Sequence, residues 1–79
     1  MILYSQPTCG PCVSVKRFLE KHQISHMVLD VSTLPQAADR VKDLGYGTTP
    51  VVEVVTESGG FAWHGFRLDK LNHLKEITR

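Results

Sequence analysis

The stretch Ser5-Gln6-Pro7-Thr8-Cys9-Gly10-Pro11-Cys12 contains both cysteines of this 79-residue chain and directly follows its first apolar run. A disulfide stabilises a fold more when it closes a longer loop, and a bond between these two cysteines would close a very short one. Small secreted scaffolds usually carry several dispersed cysteines, whereas a C-x-x-C pair is typical of redox or metal chemistry in a reducing compartment. The spacing therefore predicts chemistry at sulfur.

The composition is that of one globular domain covering residues 1–79, without a repeat or a linker. Nine Lys and Arg nearly balance eight Asp and Glu, which leaves a net charge of +1 and no basic footprint for nucleic acid. The first residues do not form a basic region followed by an apolar segment, and no apolar run approaches the roughly 18 residues of a membrane span. We therefore expect a cytoplasmic monomer that binds neither nucleic acid nor a membrane.

Apolar periodicity predicts the element order β-α-β-α-β-β-α. The predicted strands cover 1–4, 26–31, 51–55 and 61–63, and the predicted helices start at 11, span about 33–44 and include 68–77. Thr33 followed by Gln36 resembles a capping box for the second helix, and 57–60 is typical of a turn. Because parallel strands require right-handed crossovers, the pattern predicts an α/β fold with helices on both faces of a four-stranded mixed sheet.

The first helix makes the two cysteines chemically different. Cys9 lies at its N-terminus, where unpaired backbone N–H groups and the positive end of the helix dipole favour a thiolate and lower its pKa. Cys12 lies on the apolar face of the same helix, within bonding range of Cys9. We therefore assign Cys9 as the attacking nucleophile and Cys12 as the resolving thiol. Pro11 suits the first helical turn, and Gly10 lets the backbone pass close to a partner.

A second signal is the stretch Gly47-Thr48-Thr49-Pro50-Val51. An X-Pro bond at the start of a strand is ordinarily trans. The succession of a strand, C-x-x-C, a helix and a later Thr-Pro before a strand nevertheless resembles the thioredoxin superfamily. This resemblance implies the minimal thioredoxin fold, a cis Pro50 that faces the cysteines, and a Thr49 backbone that can pair with an extended substrate segment.

The segment 61–71 is similar to the NrdH-redoxin signature W-S-G-F-R-P-D-x-[IL]. The residues that match it are Trp63, Gly65, Phe66, Arg67, Asp69 and Leu71, whereas His64 and Leu68 depart from it. The stretch Cys9-Gly10-Pro11-Cys12 also departs, because it carries the thioredoxin dipeptide and not the C-[MV]-Q-C typical of NrdH-redoxins.

The NrdH-redoxin resemblance implies a dithiol electron donor whose redox-active disulfide, Cys9–Cys12, works without a bound cofactor. It implies reduction by an NADPH-dependent thioredoxin reductase and delivery of electrons to a class Ib ribonucleotide reductase or another protein disulfide. It also implies that Gly65 and Phe66 contact the partner together with Gly10, Pro11, Thr49 and Pro50.

A glutathione-dependent glutaredoxin is the alternative within the superfamily. That family usually has Lys three residues before its first cysteine and a G-G-C-D-D-type segment before its last helix. Here Gln6 takes the first place, and Gly65-Phe66-Arg67 runs where the acidic pair would be. An arginine there would repel the α-ammonium group of glutathione, so the sequence predicts weak glutathione binding.

A metal-binding C-x-x-C module is the alternative from another class. Cys9 and Cys12 with His22 and His26 superficially resemble a two-cysteine, two-histidine zinc site, but the spacing to His22 is short for a zinc finger and the cysteines precede a helix. Copper chaperones of ferredoxin-like fold usually have Met two residues before the first cysteine, where this chain has Pro7. We therefore expect no metal at this pair.

Overall fold

Three helices and four strands follow one another in the predicted order in the computed structural model, which describes residues 1–57 and 59–77. The elements are β1 (Ile2–Ser5), α1 (Gly10–Lys21), β2 (Met27–Asp30), α2 (Pro35–Asp43), β3 (Val51–Thr56), β4 (Gly59–His64) and α3 (Leu68–Ile77). None of the helices in this part of the chain is long and apolar enough to cross a membrane.

The strands form one mixed sheet in the order β2-β1-β3-β4. β1 pairs in parallel with β2, where Leu3 lies opposite Val28, and antiparallel with β3, where Leu3 lies opposite Val52. β3 in turn pairs antiparallel with β4, with Val52 opposite Trp63. This arrangement confirms the predicted minimal thioredoxin fold, with a parallel first pair and a terminal hairpin.

Neighbouring residues of a strand point to opposite faces of the sheet, so β1 and β3 supply side chains to two separate cores. On one face, Leu3 and Val52 pack with residues of α1 and α3, among them Leu19 and Leu71. On the other face, Tyr4 and Val51 pack with Ala37 and Val41 of α2. The prediction that helices cover both faces is confirmed.

Two elements, α2 and β4, begin two residues away from their predicted starts, whereas the other predicted boundaries agree to within one residue. α2 begins at Pro35, because the proline ring disfavours a helical Leu34, and no side-chain cap bonds that helix start, so the predicted capping box at Thr33 is wrong. The Thr33 hydroxyl instead bonds the Asp30 carbonyl within a turn. The hairpin is also tighter than predicted, since strand pairing extends to Thr56 and Gly59. Ser58, in the predicted turn, lies outside the described residues.

A buried acid lies between β3 and α2. The Glu53 side chain accepts a hydrogen bond from the Tyr4 hydroxyl at 2.8 Å and is chelated by the guanidinium of Arg40. The hydrogen bonds from Arg40 lower the pKa of Glu53, and burial together with the bond to Glu53 raises the pKa of Tyr4 to about 12. A buried charge is tolerated only when it is paired and hydrogen-bonded, and this triad satisfies that requirement.

The triad predicts two pH ranges in which stability is lost. Because Glu53 has a lowered pKa in the folded chain, its contribution is present above its unfolded value, roughly pH 4.3, and is lost as pH falls further. The pKa shift of Tyr4 has the opposite sign. Its contribution to stability is present below about pH 10 and is lost as pH rises toward 12. We expect Tyr4→Phe to cost about 1 kcal/mol at pH 7, and this cost to be lost as the pH rises from 10 toward 12.

Urea unfolding of both proteins at a series of pH values measures this difference. The acid loss should persist in Tyr4→Phe because Arg40 still holds Glu53. If the difference in the free energy of unfolding between the wild-type protein and Tyr4→Phe stayed constant from pH 9 to 12, ionisation of Tyr4 would not affect stability and the prediction would be wrong.

Candidate active site

The first sulfur caps the helix that follows it. Cys9 has extended backbone angles, and its Sγ accepts a hydrogen bond from the backbone N–H of Cys12 at 3.2 Å. No acidic residue lies in the first turn of α1, and Pro11 occupies that turn without needing a backbone partner. The sulfur therefore meets unopposed positive charge from the helix terminus, which favours its anion.

The two sulfurs are joined as a disulfide, with the Cα atoms 5.2 Å apart. They differ in accessibility, because Cys9 is half-buried whereas Cys12 is only 3% exposed. Cys12 lies on the buried face of α1 beside Val15 and Leu19, as the helical spacing predicts. An incoming molecule can therefore reach Cys9 and is kept from Cys12.

The Thr49–Pro50 peptide bond is cis and lies beside the disulfide. Its position follows from the sheet, because β1 and β3 are antiparallel neighbours and the end of β1 meets the start of β3, with Tyr4 opposite Val51. The Thr49 hydroxyl lies 3.7 Å from Cys9 Sγ, within reach of a weak O–H···S hydrogen bond. Residues 40 positions apart in the chain thus meet at one site.

The end of β4 completes the site. Gly65 donates its backbone N–H to the Pro50 carbonyl at 2.8 Å and has a φ of +81°, a conformation that favours glycine. Phe66 follows with 44% of its surface exposed, and Trp63 is buried in the core. The structure therefore places Gly65 against the cis-proline and gives Phe66 an open face.

Gly65 provides a test of this geometry. A Cβ at Gly65 would meet no atom within 4 Å, so the cost of Gly65→Ala comes only from its positive φ. We expect a loss of about 1–2 kcal/mol in the free energy of unfolding, measured in urea. Gly10→Ala is the matched control, because its Cβ is equally unobstructed and its φ is not positive. Equal stability of the two variants would contradict the strained backbone at Gly65.

Tyr46 is a part of the site that the sequence prediction missed. Its hydroxyl donates to the Ala62 carbonyl at 3.2 Å, and its ring lies 5.0 Å from that of His64, one of the two departures from the NrdH-redoxin signature. These contacts fasten the segment before Thr49 to β4. Tyr46 lies between two glycines and outside any apolar periodicity, so the sequence carries no signal for this contact.

The fold separates two residues of the zinc-site alternative, Cys9 and His22. His22 caps the C-terminus of α1, whereas Cys9 caps its N-terminus, so the two are about 20 Å apart at 1.5 Å per residue. Over 1–57 and 59–77, no three His, Cys, Asp or Glu side chains come together in a way that could hold a metal ion.

A thioredoxin fold with a C-x-x-C disulfide at the start of α1 and a cis-proline beside it defines a thiol–disulfide oxidoreductase. Residues 1–58 match the Glutaredoxin family. The chain is 32% identical over 72 residues to the glutaredoxin-like protein NrdH of Salmonella typhimurium, an alignment covering 91% of this chain and 84% of that protein. This chain belongs to the glutaredoxin family and, within it, to the NrdH-redoxins.

Two further relatives are thioredoxin-like. The solved NrdH-redoxin of Escherichia coli, a glutaredoxin-like protein with a thioredoxin-like activity profile, superposes with a TM-score of 0.80 at 29% identity, over 92% of this chain and 91% of that one. The SPbeta prophage-derived thioredoxin-like protein YosR of Bacillus subtilis is 35% identical over 83 residues, covering 100% of this chain and 94% of YosR. The predicted family and redox class are confirmed.

Proposed function

We propose that this chain is a small dithiol electron carrier that is reduced by thioredoxin reductase and passes two electrons to the disulfide of a class Ib ribonucleotide reductase or of another protein. The observation that carries the proposal is the asymmetric pair at the start of α1, a reachable Cys9 capping the helix and a shielded Cys12 bonded to it. One sulfur can meet a large partner while the other stays close enough to release it.

The transfer proceeds by two thiol–disulfide exchanges. In the reduced protein the Cys9 thiolate attacks one sulfur of the partner disulfide, forming a mixed disulfide and releasing the partner's first thiolate. Cys12, deprotonated, then attacks Cys9 Sγ, restoring the Cys9–Cys12 bond and releasing the partner's second thiolate. The partner gains two electrons and takes up two protons, and this chain is oxidised. Thioredoxin reductase, using NADPH, returns it to the dithiol.

The rim of the site offers a backbone surface to an extended partner segment. Among the described residues, neither the N–H nor the C=O of Thr49 makes a backbone hydrogen bond, so both are open to a partner strand. Gly10 and Pro11 are exposed beside Cys9, and Phe66 presents a partly exposed ring. With Pro50 and Gly65, these residues form the surface on which we place the partner.

Two features support thioredoxin reductase over glutathione as the source of electrons. The Escherichia coli NrdH-redoxin has a thioredoxin-like activity profile. In this chain Asp69, the acid within the NrdH-type signature, is paired with the Arg67 guanidinium at 3.1 Å, and that bond lowers the pKa of its carboxyl group. An ammonium group of glutathione would have to displace Arg67 to reach Asp69.

The test follows NADPH oxidation with a disulfide substrate, supplying either thioredoxin reductase or glutathione with its reductase. We expect turnover with thioredoxin reductase, and formation of deoxyribonucleotides when a class Ib ribonucleotide reductase is the acceptor. Cys9→Ser is the control for uncatalysed transfer. Turnover with glutathione and its reductase, but not with thioredoxin reductase, would identify a glutaredoxin instead.

A further inference from the structure

A groove leads away from the disulfide on the side opposite Thr49. It has a volume of about 470 Å³ and is lined by residues 5–10, by Cys12 and other residues of α1, and by the edge strand β2. Val13 and Lys16 of α1 form one wall, and Val28 of β2 lies across from them. We call it the α1–β2 groove. Cys9 lines this groove, so a partner whose disulfide reaches Cys9 lies beside it.

Val13 and Val28 give this groove partly exposed apolar side chains. Val13 is 49% exposed and Val28 is 42% exposed, although the buried face of α1 consists of Cys12, Val15 and Leu19. A β-branched residue on an exposed helical face is a poorer helix former than alanine or lysine, so helix propensity does not explain a valine at position 13. Both valines line the same groove as Cys9, so they offer apolar contacts to a segment bound there.

The charge of the groove indicates what that partner carries. Lys16 is the one charged side chain among the described residues that line the groove. It lies seven residues after Cys9, or about 10 Å along the helix axis. An extended peptide advances roughly 3.3–3.6 Å per residue, so the side chain that reaches Lys16 is about the third residue from the cysteine bonded to Cys9.

We propose that the α1–β2 groove binds the extended segment flanking the target cysteine of the oxidised partner, apolar beside that cysteine and carrying Asp or Glu about three residues away. The proposal rests on the proposed electron-carrier function and adds a rule for which disulfides it prefers. The valines contact the apolar residues, and Lys16 pairs with the acid and repels a base in its place.

Peptides with a thionitrobenzoate-activated cysteine test the rule against the full-length Cys12→Ser protein. The Cys9 thiolate attacks the peptide sulfur, forming the mixed disulfide and releasing one coloured thionitrobenzoate anion, so the rate of each exchange is measured directly. The peptides are apolar and differ only in Asp or Lys three residues before or after the cysteine. We expect Asp to react about fivefold faster than Lys in one of the two positions, and the ratio to fall toward one in 1 M salt.

Variants assign the preference to the groove. Lys16→Glu should reverse the Asp-to-Lys ratio, whereas Lys21→Glu, the same change at the far end of the same helix, should keep it. A general effect on Cys9 reactivity cancels in the ratio. Val28→Ser should slow the apolar peptides about two- to threefold without changing the ratio.

Equal rates for the Asp and Lys peptides in both positions, or a ratio that survives Lys16→Glu, would overturn the proposal. Continued turnover with thioredoxin reductase would then leave the electron-carrier function standing. Loss of that turnover would instead concern the proposed function itself, so the two failures are distinguishable.

Discussion

Replacing Cys9 by serine will abolish disulfide reduction, since a serine hydroxyl is far too weak a nucleophile at neutral pH to open a disulfide. The capping geometry is largely retained, because a serine oxygen also accepts the N–H of Cys12 and serine is a preferred N-cap residue. We therefore expect a folded protein whose NADPH-coupled turnover equals that of a reaction without carrier. Circular dichroism checks the fold, and the coupled assay checks the activity.

Cys12→Ser is the informative counterpart of this change. It leaves the reachable sulfur of Cys9 in place but removes the group that resolves the mixed disulfide. The expected result is a covalent complex with the partner, seen as a mass increase that reducing agent reverses, with steady turnover lost. If Cys9→Ser trapped the partner and Cys12→Ser did not, the two roles would be exchanged.

Truncation of Leu71 will produce a large loss of stability. Leu71 is 0% exposed in the core between the sheet and α3, and a buried Leu→Ala change costs about 2–5 kcal/mol through lost transfer energy and the cavity left behind. The total stability of a domain of this size is only roughly 4–12 kcal/mol. We therefore expect Leu71→Ala to unfold at much lower urea concentration and to be partly unfolded at 37 °C.

Leu68→Ala is the matched control in the same helix. Leu68 is 52% exposed, so its truncation removes little buried surface and should change the free energy of unfolding by no more than about 0.5 kcal/mol. A similar loss from both variants would contradict the packing argument, because alanine is a better helix former than leucine and Leu68 buries little surface.

The same helix shows where sequence reasoning reaches its limit. A three-residue interval predicts that Leu68, Leu71, Leu74 and Ile77 share one face, but only Leu71 and Leu74 are buried. Residues at intervals of three drift around a helix of 3.6 residues per turn, and α3 contacts the sheet only near the middle of that row. Periodicity identifies the helix, whereas the contact made by its partner elements decides which residues it buries.

The candidate site divides in a similar way. Cys9 and Cys12 could be predicted because their chemistry depends on local spacing and on the start of one helix. The positions of Thr49 beside Cys9 and of Gly65 against Pro50 follow from strand pairing far along the chain, so a family resemblance was needed to expect them. Tyr46 could not be predicted, because its hydrogen bond to Ala62 depends on where the loop meets β4.

The direction of β1 gives the molecule two unlike poles. Met1 precedes this strand and lines a cleft together with Ile77 of α3, whereas Cys9 follows the strand at its other end. Attachment of an electrode linker or a fused enzyme at the Met1 pole would therefore leave the sulfur pointing outward. A carrier tethered in this way could take electrons from the attached electrode or enzyme and pass them to a disulfide protein in solution.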